Sequence, residues 1–118
     1  MDHRAIDHEK TVASFLKMYS DKKVLDVGCG YGRFAKYFDH YVGLDFSEEM
    51  LLLAQKNNPG KRYCLGVDIE EQFDVIFCVI ALSSLGMTAE EFNEKWKKRA
   101  SLAVMVFEIE QFYIFPKL

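Results

Sequence analysis

The chain is poor in cysteine, in long apolar runs and in surplus positive charge, and each shortage closes off a class of protein. Only three of its 118 residues are cysteine (Cys29, Cys64 and Cys78), an odd number without metal-ligand spacing, so neither a disulfide scaffold nor a metal centre is expected. Such sparse thiols fit a reducing, cytoplasmic setting. No apolar run approaches the roughly 20 residues of a membrane span, and the opening Met1-Asp-His-Arg is too polar for a secretory signal, so no membrane association is expected. Lys and Arg number 15 against 18 Asp and Glu, a net charge of −3. Binding nucleic acid through bulk charge needs a positive face from which counterions are released, so a nucleic-acid partner is not expected. What the chain does have is apolar bulk. Half of it is hydrophobic and 14% aromatic, enough to bury a core, and the length suits one compact domain over residues 1–118.

Apolar periodicity lays out alternating elements. Met1 to Ser20 reads as an amphipathic helix with Ala5, Val12, Phe15, Leu16 and Tyr19 on one stripe. Lys23 to Val27 is a short apolar strand stopping at Gly28, and Tyr31 to Asp39 has helical period through Phe34, Ala35, Tyr37 and Phe38. A second strand, Tyr41 to Asp45, ends on an acid. Ser47 followed by Glu48 and Glu49 is an N-cap with first-turn acids, opening a helix that runs to about Asn57 and closes at Pro59-Gly60. Arg62 to Val67 is a modest third strand. Phe73 to Ile80 is a strong one, apolar on both faces apart from Asp74. Thr88 caps a charged helix from Ala89 to about Lys98, and Ser101 to Phe107 is another strand apolar on both faces. Strands that are apolar on both sides and alternate with helices predict a parallel sheet covered on both faces. No repeat, linker or low-complexity stretch interrupts the pattern.

The chemistry concentrates in Val24-Leu-Asp-Val-Gly-Cys-Gly-Tyr-Gly32, a strand running into a glycine loop. Glycines at 28, 30 and 32 let the backbone turn sharply and let a ligand lie against it. A helix beginning near Tyr31 would aim its free N–H groups at that ligand. Seventeen residues on from Gly28, at the end of the second strand, stands Asp45, placed to accept from the two hydroxyls of a ribose. A tight turn and a strand-end acid would explain either feature alone; their spacing, with strands on both sides, points to a nucleotide. A dinucleotide-binding G-x-G-x-x-G loop would need glycine where Arg33 stands, which counts against a nicotinamide-binding module.

The pattern actually present, D-x-G-x-G-x-G from Asp26 to Gly32, resembles the first motif of the class I S-adenosylmethionine (SAM)-dependent methyltransferases. Val42-Gly-Leu-Asp-Phe-Ser-Glu-Glu-Met-Leu51 resembles the second. Gly66-Val-Asp-Ile69 and Phe73-Asp-Val-Ile-Phe-Cys-Val79 resemble, less specifically, the third-strand acidic motif and the fourth strand. The resemblance covers roughly residues 10 to 108 and implies a Rossmann-like, doubly wound α/β fold and SAM-dependent methyl transfer. On that resemblance Gly28, Gly30 and Gly32 would face the methionine part of the cofactor, with Asp26 ordering the loop. Cys29 would lie among the cofactor-binding loop residues, its thiol serving as small packing. Asp45 would hold the ribose hydroxyls and Phe46 would pack on the adenine. Asp68 would accept from the adenine amino group, with Ile69 on the other face of the ring. The backbone at Cys78 and Val79 would reach the methionine amino group. The acceptor-facing segment is Ile80 to Gly86, where Ser83 and Ser84 are candidates to orient a substrate. Asp74 reads as structural, and His3 and His8 as helix-surface residues able to touch a ligand.

The chain departs from the resemblance in three ways. No histidine stands near Ser83 or Ser84, and there is no Asn/Asp-Pro-Pro-aromatic signature of enzymes that methylate nucleic-acid amino groups, so no catalytic residue is assigned and a small-molecule acceptor is favoured. The family core resembles seven strands in the order 3-2-1-4-5-7-6, whereas this sequence provides about five, with Glu108 to Pro116 able to add one short edge strand. Phe112, Tyr113, Ile114 and Phe115 would then either pair a second copy through the open C-terminal strand edge, the favoured expectation, or fold back over their own sheet. A non-catalytic methyltransferase-like subunit is the alternative to an active enzyme.

Overall fold

The computed structural model describes residues 3–117, with side chains from residue 8 onward, so the reading of His3 lies outside the described side chains. Six strands form one sheet: β1 (Lys23–Val27), β2 (His40–Asp45), β3 (Arg62–Leu65), β4 (Phe73–Val79), β5 (Ala100–Phe107) and β6 (Phe112–Pro116). Their order is β3-β2-β1-β4-β5-β6, with the first five parallel and β6 antiparallel to β5. The order reverses between β1 and β4, and in a doubly wound sheet that reversal opens a crevice at the carboxyl ends of the strands.

Helices cover both faces. On one, α1 (His3–Leu16) and α2 (Glu48–Asn57) bury Val12, Leu16 and Leu51 against Val24, Phe77 and Phe107. On the other, α4 (Ala89–Trp96) buries Phe92 and Trp96 against Leu25, Ile76 and Val104. A single turn of helix, α3 (Leu82–Leu85), follows β4. Both long-helix caps read from sequence are present. Ser47 Oγ accepts from the Met50 N–H, and Thr88 and Glu91 form a reciprocal capping box at 3.1 and 2.9 Å. Asp74 is structural as expected: it accepts from the Lys23 N–H and the Ser101 hydroxyl, both at 2.9 Å, tying together the starts of β1, β4 and β5 at the end of the sheet away from the crevice. Among the described residues, no helix is long and apolar enough to cross a membrane.

One sequence expectation gives way here, and a second is met by its alternative. The segment Tyr31 to Asp39 is not an α-helix but a run of turns with one 3-10 turn at Ala35–Tyr37. Gly30 and Gly32 take φ of +57° and +80°, and Phe38 is already extended, so too few helical residues remain to repay the nucleation of an α-helix. Phe34, Ala35 and Phe38 still bury fully, which is why the apolar spacing imitates a helix. No helix dipole is therefore aimed from this loop at a ligand. The second concerns the tail. Residues after Phe107 fold back, with the Glu108 N–H donating to Gln111 O at 3.0 Å, and β6 takes the edge of β5 from within the same chain. The outer edge of the sheet is now β6, five residues long and ending in Pro116.

Candidate functional site

Loop 28–32 joins β1 to the 3-10 turn, and its shape is fixed from β2. The Gly28 and Cys29 N–H groups both donate to Leu44 O, at 2.7 and 3.0 Å. The Gly30 N–H donates to Asp45 Oδ2 at 2.9 Å, while Asp45 Oδ1 accepts from the Ser47 N–H at 2.9 Å. In place of the missing helix, the end of α2 holds the loop's carbonyls: Asn58 Nδ2 donates to Gly32 O at 2.9 Å and Asn57 Nδ2 to Tyr31 O at 3.4 Å. Gly43 makes room behind the loop, since a Cβ there would stand 2.8 Å from Cys29 Sγ and 2.9 Å from the Tyr63 ring.

Beneath the loop Asp26 is almost entirely buried, and Tyr41 Oη donates to its Oδ2 at 2.6 Å. Burial pushes this carboxyl from its ordinary value of 3.8 up to about 7, against the Tyr41 hydrogen bond and the nearby Arg33 charge, which pull it down. The same burial, reinforced by the Asp26 charge, raises the Cys29 thiol, and Cys78 is raised likewise by desolvation. Neither cysteine is a thiolate nucleophile at neutral pH. Cys29 packs, as its sequence reading has it, while also lining the site.

Between the ends of β1 and β4 a cavity of about 320 Å³ is lined by Asp26, Gly28, Cys29, Gly30, Tyr31, Arg33, Phe34, Val79 and Ile80. Of the expected residues it gathers Asp26, two loop glycines, Cys29 and Val79. Gly32 is buried against Ala54, where an added Cβ would stand 3.1 Å from the alanine Cβ. Cys78 is fully buried one residue short of the cavity. Asp45 touches the cavity only through Gly30. Phe46, next to it, is 54% exposed rather than core, its ring on the surface at the end of β2. Asp68 is engaged elsewhere: Arg99 pairs with it at 2.7 Å and the Ile69 N–H donates to it at 2.9 Å, and these bonds hold its carboxyl below the usual carboxylate range. Ile69 packs toward the α4 side of the core. Ser83 and Ser84 are both exposed on α3. His8 is not a free surface residue; it is half-buried, with Nε2 3.0 Å from Glu108 O and its ring edge-on to Phe112.

Sequence reasoning missed Tyr31, Arg33 and Phe34 as lining residues, and had Ile80 only as the first residue of the acceptor-facing segment. Ile80 has φ of +51°, a strained conformation for a β-branched side chain, held by its N–H donating to Phe107 O at 2.8 Å. Nothing in its sequence context signals that. Arg33 was visible only as the residue that breaks a dinucleotide pattern.

The site carries complementary groups for a ligand with an amino-acid end and a ribose. An acid and a guanidinium face one cavity, a carboxylate stands beside the glycine loop, and an aromatic ring is exposed beyond it. A family pattern described as a methyltransferase domain matches residues 25–100. An uncharacterized protein of Methanocaldococcus jannaschii is 29% identical over 110 residues, covering 91% of this chain and 50% of that protein. Among solved structures, an amino pentose methyltransferase of Micromonospora echinaspora involved in calicheamicin biosynthesis, determined with SAM bound, is 29% identical with a TM-score of 0.66, covering 85% of this chain and 49% of that one. The SAM-bound magnesium protoporphyrin IX methyltransferase of Synechocystis PCC 6803 is 19% identical with a TM-score of 0.71, covering 88% of this chain and 57% of that one, a likeness of fold. The chain spans about half the length of these relatives.

Proposed function

The chain belongs to the methyltransferase-domain family, and from that premise we propose that it binds SAM across the carboxyl ends of β1, β2 and β4 and transfers its methyl group to a small-molecule acceptor. The observation that carries this reading is the lock between Gly30 and Asp45. It fixes a carboxylate beside a bare glycine backbone, and each of its oxygens keeps a lone pair for a ribose hydroxyl.

When bound, SAM supplies a methyl group already activated by the sulfonium charge. The chain's residues have then to bind, orient and exclude water. Asp26 and the backbone at Cys78 and Val79 would meet the methionine ammonium, and Gly28 and Gly30 would let the chain of the ligand lie close. Asp45 would hold the ribose, with Phe46 free to stack on the adenine. Ser83 and Ser84, beside the end of β4, offer exposed hydroxyls to an acceptor. Asp68 and Ile69 reach the adenine in this reading only if the Arg99 pair rearranges. Acidity, and the absence of an Asn/Asp-Pro-Pro-aromatic sequence, favour a small molecule over nucleic acid.

Calorimetric titration of the purified chain with SAM, S-adenosylhomocysteine and NAD tests the reading. Micromolar binding of the first two and none of NAD is expected; binding of NAD alone, or of none of the three, overturns it. Methyl release from labelled SAM across a panel of amines, alcohols and thiols then separates turnover from binding alone, which would leave a non-catalytic subunit. We also propose that two copies pair along the free edge of β6, where Ile114 stands exposed in a line of unpaired backbone groups. Sedimentation equilibrium showing only monomer throughout the micromolar range would overturn that pairing.

A further inference from the structure

Among the described residues Arg33 is the only cationic side chain lining the cavity, and it is under-used. A guanidinium offers five N–H donors in a planar fork. Among the described residues Arg33 makes two contacts and neither is a hydrogen bond: its Nε stands 3.8 Å from Glu9 Oε1, and its guanidinium lies 4.8 Å from the Phe34 ring centre. The group is nonetheless largely withdrawn from water, its side chain being 23% exposed. A half-buried guanidinium with unspent donors at a cavity wall is what bidentate recognition of a carboxylate requires. Asp26 lies near enough to feel the Arg33 charge, but among the described residues it makes no ion pair with it; Glu9 does.

Glu9 comes from α1. The carboxyl-terminal half of that helix is anchored by buried Val12 and Leu16. Nearer the amino end its described contacts lie over the strand ends: Glu9 to Arg33, and His8 to Glu108 O just past β5 and edge-on to Phe112. The Glu9 carboxylate therefore sits against the same cation that a ligand carboxylate would use, at a distance too long for a hydrogen bond. Two carboxylates on one guanidinium repel each other, so each weakens the other's hold.

We propose that Arg33 receives the carboxylate of the ligand's amino-acid end and that Glu9 is a built-in competitor for it, so that the amino end of α1 and the ligand carboxylate are set against each other. This rests on the cofactor reading above and adds to it the residue that selects the amino-acid end and the helix that answers to its arrival. By reciprocity, whatever loosens α1 at Glu9 tightens the ligand, and the ligand loosens that contact.

The test is calorimetry with two probes, S-adenosylhomocysteine and its decarboxylated analogue, which lacks only the carboxylate. Arg33→Met is expected to lose about 10- to 100-fold in affinity for the first and less than about twofold for the second, as removal of a charge-assisted bond implies. Arg33→Lys, which keeps the charge without the fork, should fall between. Glu9→Gln should bind S-adenosylhomocysteine about two- to fivefold more tightly, with no change for the analogue. Equal losses for both probes in folded Arg33→Met, or none, would overturn the Arg33 assignment while leaving the cofactor reading intact. Unchanged or weaker binding by Glu9→Gln would overturn the competitor role. If the unaltered chain binds neither probe, the cofactor reading itself fails and this inference with it.

Discussion

Asp45→Ala is expected to weaken S-adenosylhomocysteine binding by about 1.5–3 kcal/mol, roughly a 10- to 150-fold loss, because it removes a charged acceptor from two ribose hydroxyls. The structure adds a second consequence. Both carboxylate oxygens already accept backbone N–H groups, from Gly30 and Ser47, each at 2.9 Å. Removing them leaves two donors without a partner, one in the glycine loop and one at the entrance to α2. A further loss of about 1–3 kcal/mol in unfolding free energy should accompany the affinity loss. Asp45→Asn separates the two roles. Its one carbonyl oxygen can keep a single backbone bond, so stability should fall less than in the alanine variant while binding still drops with the lost charge. Calorimetry and urea unfolding on the same samples measure both, and full affinity in a folded Asp45→Ala protein would remove Asp45 from the site.

Asp26→Asn is expected to make the protein more stable at pH 8 by about 2–4 kcal/mol while leaving it no more stable at pH 4. The carboxyl ordinarily titrates at 3.8 but is held up to about 7 in the fold, chiefly by burial. The folded state therefore keeps a proton that the unfolded chain has released throughout that window. Stability from this group is greatest below about pH 4, declines as pH climbs toward 7, and is flat above it. Three pH units at about 1.4 kcal/mol each set an upper bound near 4 kcal/mol on the decline. Asparagine carries no charge to desolvate and its carbonyl can still accept from Tyr41 Oη, so the variant should lose the slope and keep the hydrogen bond. Urea unfolding of both proteins from pH 4 to 8 reads this directly, since other titrating groups cancel in the difference. Parallel curves would show that Asp26 is not a strained acid. Beneath the glycine loop its charge would face the place proposed for the ligand's ammonium. The same variant should bind S-adenosylhomocysteine more weakly, and binding to the unaltered chain should fade as pH drops below 7.

Much of this was legible in the residues. The glycine spacing from Gly28 to Gly32 and the acid at Asp45 were read together from the sequence, and in the fold the two meet in one hydrogen bond. Ser47 and Thr88 marked their helices because a cap is a local contact, decided within three residues. The two-sided apolar runs at β4 and β5 gave a sheet covered on both faces. The helix reading of Tyr31 to Asp39 failed because apolar period reports burial and not backbone conformation. The apolar period of Phe34, Ala35 and Phe38 signals burial, but burial is satisfied as well by turns once Gly32 has fixed a left-handed φ.

The sequence by itself determined the fold class, the strand that carries the loop and the carboxylate that answers it, because those follow from side-chain type, period and spacing along one stretch of chain. Only the tertiary structure decided that Tyr41 clamps Asp26, that Arg33 faces the cavity beside a carboxylate from α1, that Ile80 is bent into an unfavourable φ, and that the tail closes its own sheet edge. Each of these is a meeting of segments far apart in the chain or a conformation imposed by such a meeting. Its free energy exists only once the sheet has brought the partners within reach.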